Sequence, residues 1–345
     1  MKLLMITRKV DKNDALAGFT YGWVKKIGAN LEHLLVVSWQ KSERGDLPKN
    51  IELISLPQNK MFKSFALVYQ VFRLMPKVDG LFCHMNPEYT ILAGPVAKLF
   101  GKRVVSWYTH RKVSWKVRLL EKIADTILTA SKESFRLPSK KVKVIGHGID
   151  LRRFFPIGTV HNVSIHRILS IGRISPTKDY ESMIKAVEIL KRQGVNVVLD
   201  IVGDVGLKKQ NSYFISLKQM VEKMGLSENV NFIGSVPNNR IRQNCFWKSQ
   251  IFLNLSNTGS LDKAVLEAMA CGIIVLTSNE AFRDILLPEL IVKKNDPNQL
   301  AEKIKWAIGL SENEEAALRK KMEQEVEQNH NLDNLAEKII EQFGS

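Results

Sequence analysis

Seven residues, Gly172-Arg173-Ile174-Ser175-Pro176-Thr177-Lys178, place a glycine, an arginine and a lysine directly behind the apolar run Ile168 to Ile171 and ahead of a helical pattern beginning near Asp179. In open α/β sheets, anions bind beyond the carboxyl ends of strands, where helix N-termini present N–H groups that have no intrahelical partner. Gly172 would let the backbone approach a phosphate closely, Arg173 would grip it with paired hydrogen bonds, and Lys178 would act as a point charge. These residue types at such a turn suit a diphosphate; the alternative is two cations that are merely solvated. A second stretch, running from Ser256 through Gly259, Ser260, Leu261, Asp262, Lys263 and Glu267 to Gly272, repeats the strand-loop-helix arrangement. Ser260 and Asp262 are natural helix-start residues, so the N–H groups of Ser260 to Lys263 are candidates to face a β-phosphate. Glu267 stands among Val265, Leu266 and Met269, where a carboxylate needs a partner to offset its desolvation. A sugar or ribose diol would serve, and so would a nearby lysine or arginine.

Elements must position these groups, and the pattern that supplies them is short β-type runs alternating with amphipathic stretches, the signature of parallel sheets covered by helices. Strands are expected at 3–7, 34–37, 51–54, 80–83, 104–107, 127–129 and 142–144, with helices near 20–30, 61–75, 88–100 and 114–123. A polar stretch from Pro156 to Asn162 reads as a linker. The pattern then restarts: strands at 168–171, 197–202, 230–233, 251–255 and 273–277, helices near 179–193, 211–224 and 262–270, and three helical segments to close. The fold class is therefore α/β twice over, and 345 residues with 45% apolar content suffice for two domain cores.

Charge divides unevenly. Residues 1–155 hold 28 Lys and Arg against 12 Asp and Glu, whereas the remaining 190 hold 23 of each, so the whole net charge of +16 lies in the first part. An anionic partner for that part follows, or else a basic surface with no partner. Lys60 and Lys63 open the aromatic helix of 61–75, and Arg111, Lys112, Trp115, Lys116 and Arg118 form a second basic and aromatic group, a mixture suited to an anionic membrane surface. For 61–75 the alternative is a core helix with Phe65, Leu67, Val68, Phe72 and Leu74 turned inward. Cys83, Cys245 and Cys271 cannot all pair and lack metal-ligand spacing, so no metal and a cytoplasmic setting are expected. The apolar run Leu3 to Ile6 is too short for a signal peptide, and Phe65 to Phe72 falls far below the roughly 20 residues of a spanning helix.

Taken together the motifs resemble the GT-B-fold glycosyltransferases, in particular the retaining nucleotide-sugar enzymes of family 4. The marks are Gly172-Arg173 with Lys178 five residues after the arginine, Leu266-Glu267-Ala268-Met269-Ala270-Cys271-Gly272, and His147-Gly148-Ile149-Asp150 leading to Phe154. The resemblance implies two Rossmann-like domains facing a cleft: 1–155 for the acceptor, 156–330 for the nucleotide sugar, and a C-terminal helix in 331–345 crossing back to the first domain. It implies that Arg173 and Lys178 hold the donor diphosphate, that Glu267 takes the ribose hydroxyls, and that the segment Gly234 to Pro237, with Val236, meets the base. Gly18 would lie in a glycine-containing first loop, without the usual second glycine, and His110 would be the cleft histidine that meets a sugar hydroxyl. One departure stands out: where the family has a further glutamate, eight positions before Glu267, this chain has Gly259. Asp262 is then either a substitute acid or only a helix cap.

The function so implied is transfer of a hexose-type sugar, with retention, from a nucleotide-diphosphate donor to a membrane-associated lipid-linked saccharide or phospholipid, with no cofactor. An inverting transferase or nucleotide-sugar epimerase using His110 as base, or a non-catalytic binder, stays open. A nucleic-acid binder is not expected, because no recognition module is visible.

Overall fold

The computed structural model describes all residues except 15, 16, 60, 61, 157, 159–163, 207–209, 238, 239 and 345. They form two compact units, Met1–Asp150 with Asn329–Ser345, and Leu151–Gln328. Most of the stretch read as a linker, Pro156 to Asn162, lies outside the described residues.

In the first unit β1 (Lys2–Thr7), β2 (His33–Ser38), β3 (Ile51–Ser55), β4 (Gly80–His84), β5 (Arg103–Trp107), β6 (Thr126–Thr129) and β7 (Val142–Val144) make one sheet in the order β3-β2-β1-β4-β5-β6-β7. Every pairing is parallel. Central strands of such a sheet are covered on both faces, which is why Leu3 to Ile6 and Leu34 to Val37 are unbroken apolar runs and fully or almost fully buried. Helices α2 (Lys63–Leu74), α3 (Pro87–Leu99) and α4 (Trp115–Ile123) pack side by side, and α1 (Gly18–Ala29) packs on the C-terminal helix Leu332–Glu341. Helix α1 starts two residues before the expected position, so Gly18 is its first residue rather than part of a glycine loop.

The second unit holds β8 (His166–Ile171), β9 (Val197–Val202), β10 (Val230–Gly234), β11 (Ile251–Asn254) and β12 (Ile274–Thr277), all parallel, in the order β10-β9-β8-β11-β12. Around them lie α5 (Tyr180–Arg192), α6 (Asn211–Lys223), α7 (Ile241–Asn244), α8 (Lys263–Ala270), α9 (Pro297–Ile308) and α10 (Glu312–Asn329). The sequence reading has no helix at α7, because four residues are too few to show a helical period.

The return of the chain to the first unit depends on one glycine. Ile149 donates its N–H to the His330 carbonyl at 2.8 Å, and Leu332 donates to the Ile149 carbonyl at 2.9 Å. Just before this ladder Gly146 has φ +80°, and a Cβ there would stand 1.8 Å from the Asn329 carbonyl oxygen. Replacement Gly146→Ala therefore adds left-handed strain to a backbone clash, together about 2–4 kcal/mol. The first unit's melting transition should fall by at least about 5 °C, a shift readable by circular dichroism.

Candidate functional site

Strand order in the second unit reverses between β8 and β11, the two strands whose carboxyl ends feed the motif loops. Chains leaving neighbouring strands at such a reversal diverge to opposite faces of the sheet and leave a crevice, the usual ligand position in open α/β sheets. Here the two loops are tied together: the Asn257 N–H donates to the Thr177 carbonyl at 2.9 Å. Gly203, at the end of β9, has φ +141°, and a Cβ there would lie 1.9 Å from the Gly172 carbonyl oxygen. Gly203 thus lets the β9 end come against the turn at Gly172. Sequence reasoning missed it, although a glycine directly after an apolar strand is the signal for such an approach.

Across this reversal Lys178 Nζ meets Asp262 Oδ2 at 2.6 Å. The same oxygen accepts from Asn254 Nδ2 at 2.9 Å, and Asn254 Oδ1 in turn accepts from the Thr277 hydroxyl at 3.2 Å. The charge of Lys178 and the hydrogen bonds from Lys178, Asn254 and Ser256 outweigh burial and hold the Asp262 carboxyl below its ordinary value. Asp262 occupies the N-cap position of α8, yet its side chain makes no capping bond. Its carboxylate is spent on Lys178, and the helix start is left without a side-chain cap.

Glu267, one turn further along α8, is only 4% exposed. Its nearest cation, Lys263, is 3.7 Å away, too far for a good hydrogen bond. Burial pushes the Glu267 carboxyl above its ordinary value; the charges of Lys263 and Arg153 pull the other way without overcoming it. Glu267 Oε1, Ser260 Oγ and Asn257 Oδ1 are buried and have no hydrogen-bond partner among the described residues. Three such atoms within one loop and its helix are costly unless something else supplies donors.

The remaining candidates fall into place or out of it. Arg173 is exposed, its stem against Gly206. Leu261 is buried, and Gly234 has φ +80° at the end of β10 with Val236 half-buried beyond it. Gly259 has φ +61°, in the left-handed region that favours glycine, so a glutamate in the same backbone would cost about 1–2 kcal/mol. In the first unit His110 is exposed after β5, its Nδ1 accepting from the Lys112 N–H at 3.0 Å. Arg111, Lys112, Trp115 and Arg118 are exposed, while half-buried Lys116 is bound to Glu88 at 2.6 Å. Lys63 is not a surface cation: it is buried, with Nζ 3.3 Å from Gln58 Oε1 and 5.6 Å from the centre of the Trp39 ring. Lys60 lies outside the described residues. Nor does α2 turn all its apolar residues inward. Leu67 and Leu74 are buried, but Phe65 and Phe72 face solvent.

A family model described as glycosyl transferases group 1 matches residues 160–338. The putative colanic acid biosynthesis glycosyltransferase WcaL of Escherichia coli is 25% identical over 286 residues, covering 74% of this chain and 68% of that protein. A phosphatidylinositol N-acetylglucosaminyltransferase component of Arabidopsis thaliana is 28% identical over 176 residues, 50% of this chain; the match spans only 38% of that relative's length. Among solved structures, Anabaena HepE in complex with UDP and glucose superposes with a TM-score of 0.79 at 16% identity, covering 100% of both chains. Sucrose-phosphate synthase from Thermosynechococcus elongatus gives 0.73 at 15%, covering 99% of this chain and 98% of that one.

A raised carboxyl destabilises the fold in its charged form: the stability the group allows is present below its ordinary value and is lost as pH rises through the folded-state value. Glu267→Gln should therefore raise the second unit's melting temperature at pH 7, and the gain over wild type should shrink as pH falls through the carboxylate range. The same variant should bind nucleoside diphosphate more weakly, because an amide accepts hydroxyl hydrogen bonds less strongly than a carboxylate. Calorimetric scans with and without UDP check both halves.

Proposed function

The chain belongs to the glycosyl transferases group 1 family and has the GT-B fold, and from this premise we propose that it is a retaining glycosyltransferase that takes a hexose-type sugar from a nucleotide-diphosphate donor. The observation that carries the reading is the position of Lys178, with its ammonium held across the strand reversal by Asp262 beside the uncapped start of α8. Arg173, Lys178 and the α8 N-terminus stabilise the charge that gathers on the departing diphosphate. Glu267 accepts the ribose hydroxyls, and the buried Ser260 and Asn257 oxygens find donors on the ligand. Gly234 and Val236 flank the base, with UDP the first nucleotide to test, since the Anabaena structure contains UDP and glucose. The acceptor hydroxyl attacks the anomeric carbon on the face the diphosphate leaves. The new C–O bond forms as the bond to the phosphate oxygen breaks, and that oxygen receives the acceptor's proton. No enzyme nucleophile is required.

Asp262 substitutes for the acid missing at Gly259 by orienting Lys178, and His110 is the first unit's candidate for a sugar hydroxyl. The acceptor is a membrane-associated lipid-linked saccharide or phospholipid, a class supported by the basic first unit and by the phosphatidylinositol substrate in the name of the Arabidopsis relative.

Arg173→Ala and Lys178→Ala should each weaken UDP binding by about 1–3 kcal/mol, the scale of a charge-assisted contact. The two differ in stability. Exposed Arg173 can be removed at little cost, whereas loss of Lys178 leaves Asp262 without its cation and should lower the melting temperature as well. Isothermal titration showing unchanged UDP affinity in both variants would overturn the donor assignment.

A further inference from the structure

Helix α2 has two apolar faces where its place in the fold uses only one. Leu67, Val71 and Leu74 are buried against the sheet and α3, which satisfies the inward stripe of a covering helix. The opposite side should then be polar. It carries instead Phe62, Phe65, Tyr69 and Phe72, spaced at three, four and three residues, with Phe65 76% and Tyr69 64% exposed. The Phe72 ring meets the edge of Phe100 with centroids 5.3 Å apart, and beside Phe100 stands Leu99, 80% exposed at the end of α3. A line of aromatics along about 15 Å of helix is an exposed apolar patch of the kind that marks an interaction surface.

Charge identifies what covers it. Residues 53–78 and 89–120, which include all of α2 and α3 after Glu88, contain no Asp or Glu and 11 Lys and Arg; of these Lys63 is buried, and Lys98 and Lys116 are ion-paired with Asp125 and Glu88. Arg73 and Lys77 are exposed at the α2 end of the stripe. At the α3 end, Lys98, Lys102 and Arg103 with Asp125 line an open pocket of about 480 Å³, three cations to one carboxylate. Aromatic side chains in a row with cations around them fit a bilayer interface, where rings sit at the level of the headgroups and cations meet their phosphates. An apolar protein partner would not call for this excess of positive charge. We infer that the outward face of α2 is the surface by which this chain docks on an anionic lipid bilayer, inserting Phe62, Phe65, Tyr69 and Phe72 between headgroups. The inference deepens the proposed function and rests on its reading of a membrane-associated acceptor; of the two groups the sequence offers, it chooses the helix of 61–75 over residues 111–118, and its outward aromatic face over Lys63.

The test is sedimentation with vesicles of phosphatidylcholine alone or with phosphatidylserine, using the full chain as wild type, F65S/Y69S/F72S, and the single variant F65A in case the triple variant is poorly folded. Wild type should bind the anionic vesicles preferentially and lose binding as salt is raised. The triple variant should bind them at least about tenfold less and F65A measurably less, with melting temperature and UDP affinity unchanged. Undiminished vesicle binding by both variants overturns the α2 assignment while leaving a membrane acceptor in place. If replacing the four cations between 111 and 118 by glutamine then abolishes binding, the surface lies there instead. Absence of wild-type binding to any vesicle at low salt overturns the inference, and with retained UDP affinity it removes only the membrane half of the proposed function. A wild-type dimer seen by light scattering, lost in F65S/Y69S/F72S without any vesicle binding, would give the face to a second copy of the chain and overturn the inference likewise.

Discussion

The ion pair between Lys178 and Asp262 is the contact on which the second unit's site depends. The two residues are 84 positions apart and leave different strands, yet their side chains meet at 2.6 Å, both of them largely shielded from water. Each charge leans on the other, since an ion partly withdrawn from water loses part of its hydration and regains it from a counter-ion and hydrogen bonds. The pair is therefore also a constraint on backbone: the turn after β8 and the loop after β11 must stay in register, and the Asn257 to Thr177 hydrogen bond keeps them so. An ammonium held in this way is preorganised for an anion and needs no rearrangement to meet one.

Glu267 illustrates the opposite case. The described residues around it satisfy it poorly, and burial raises its carboxyl in spite of two nearby cations. A residue that existed only for stability would be apolar at this place, because its neighbours Val265, Leu266 and Met269 are fully buried. Ser260 and Asn257 share the condition of unspent polar atoms. Local deficits gathered around one helix start, beside the Lys178–Asp262 ion pair, are the pattern of a site that completes its hydrogen bonding with a ligand.

The first unit shows how one helix can serve two environments. Periodicity on α2 is satisfied twice, by aliphatic residues toward the sheet and by aromatic residues away from it, and the two sets differ in kind. Leu and Val fill the packed interior, while Phe and Tyr, large and rigid, stay exposed among the described residues. Lys63 departs from the surface group because its stem is long: the side chain lies buried while its ammonium reaches Gln58 and stands over the Trp39 ring.

Much of this protein follows from the sequence alone. Strand and helix positions lie within about two residues of the periodic pattern, because in parallel α/β units the central strands are largely continuous apolar runs and the covering helices amphipathic ones, both local properties. The types at Gly172, Arg173 and Lys178 already suggested an anion-type turn, and Glu267 a carboxylate in need of a partner, since their place relative to strand ends is a matter of neighbours in the chain. Tertiary structure alone decided the rest. Asp262 had two equal uses in sequence, cap or acid, and only the arrival of Lys178 from another strand turned its side chain away from the cap. Gly203 became necessary only when the end of β9 came against Gly172. The aromatic side of α2 was ambiguous because a helical period shows that faces alternate without showing which of them a neighbour will cover; that is set by packing between segments far apart in sequence.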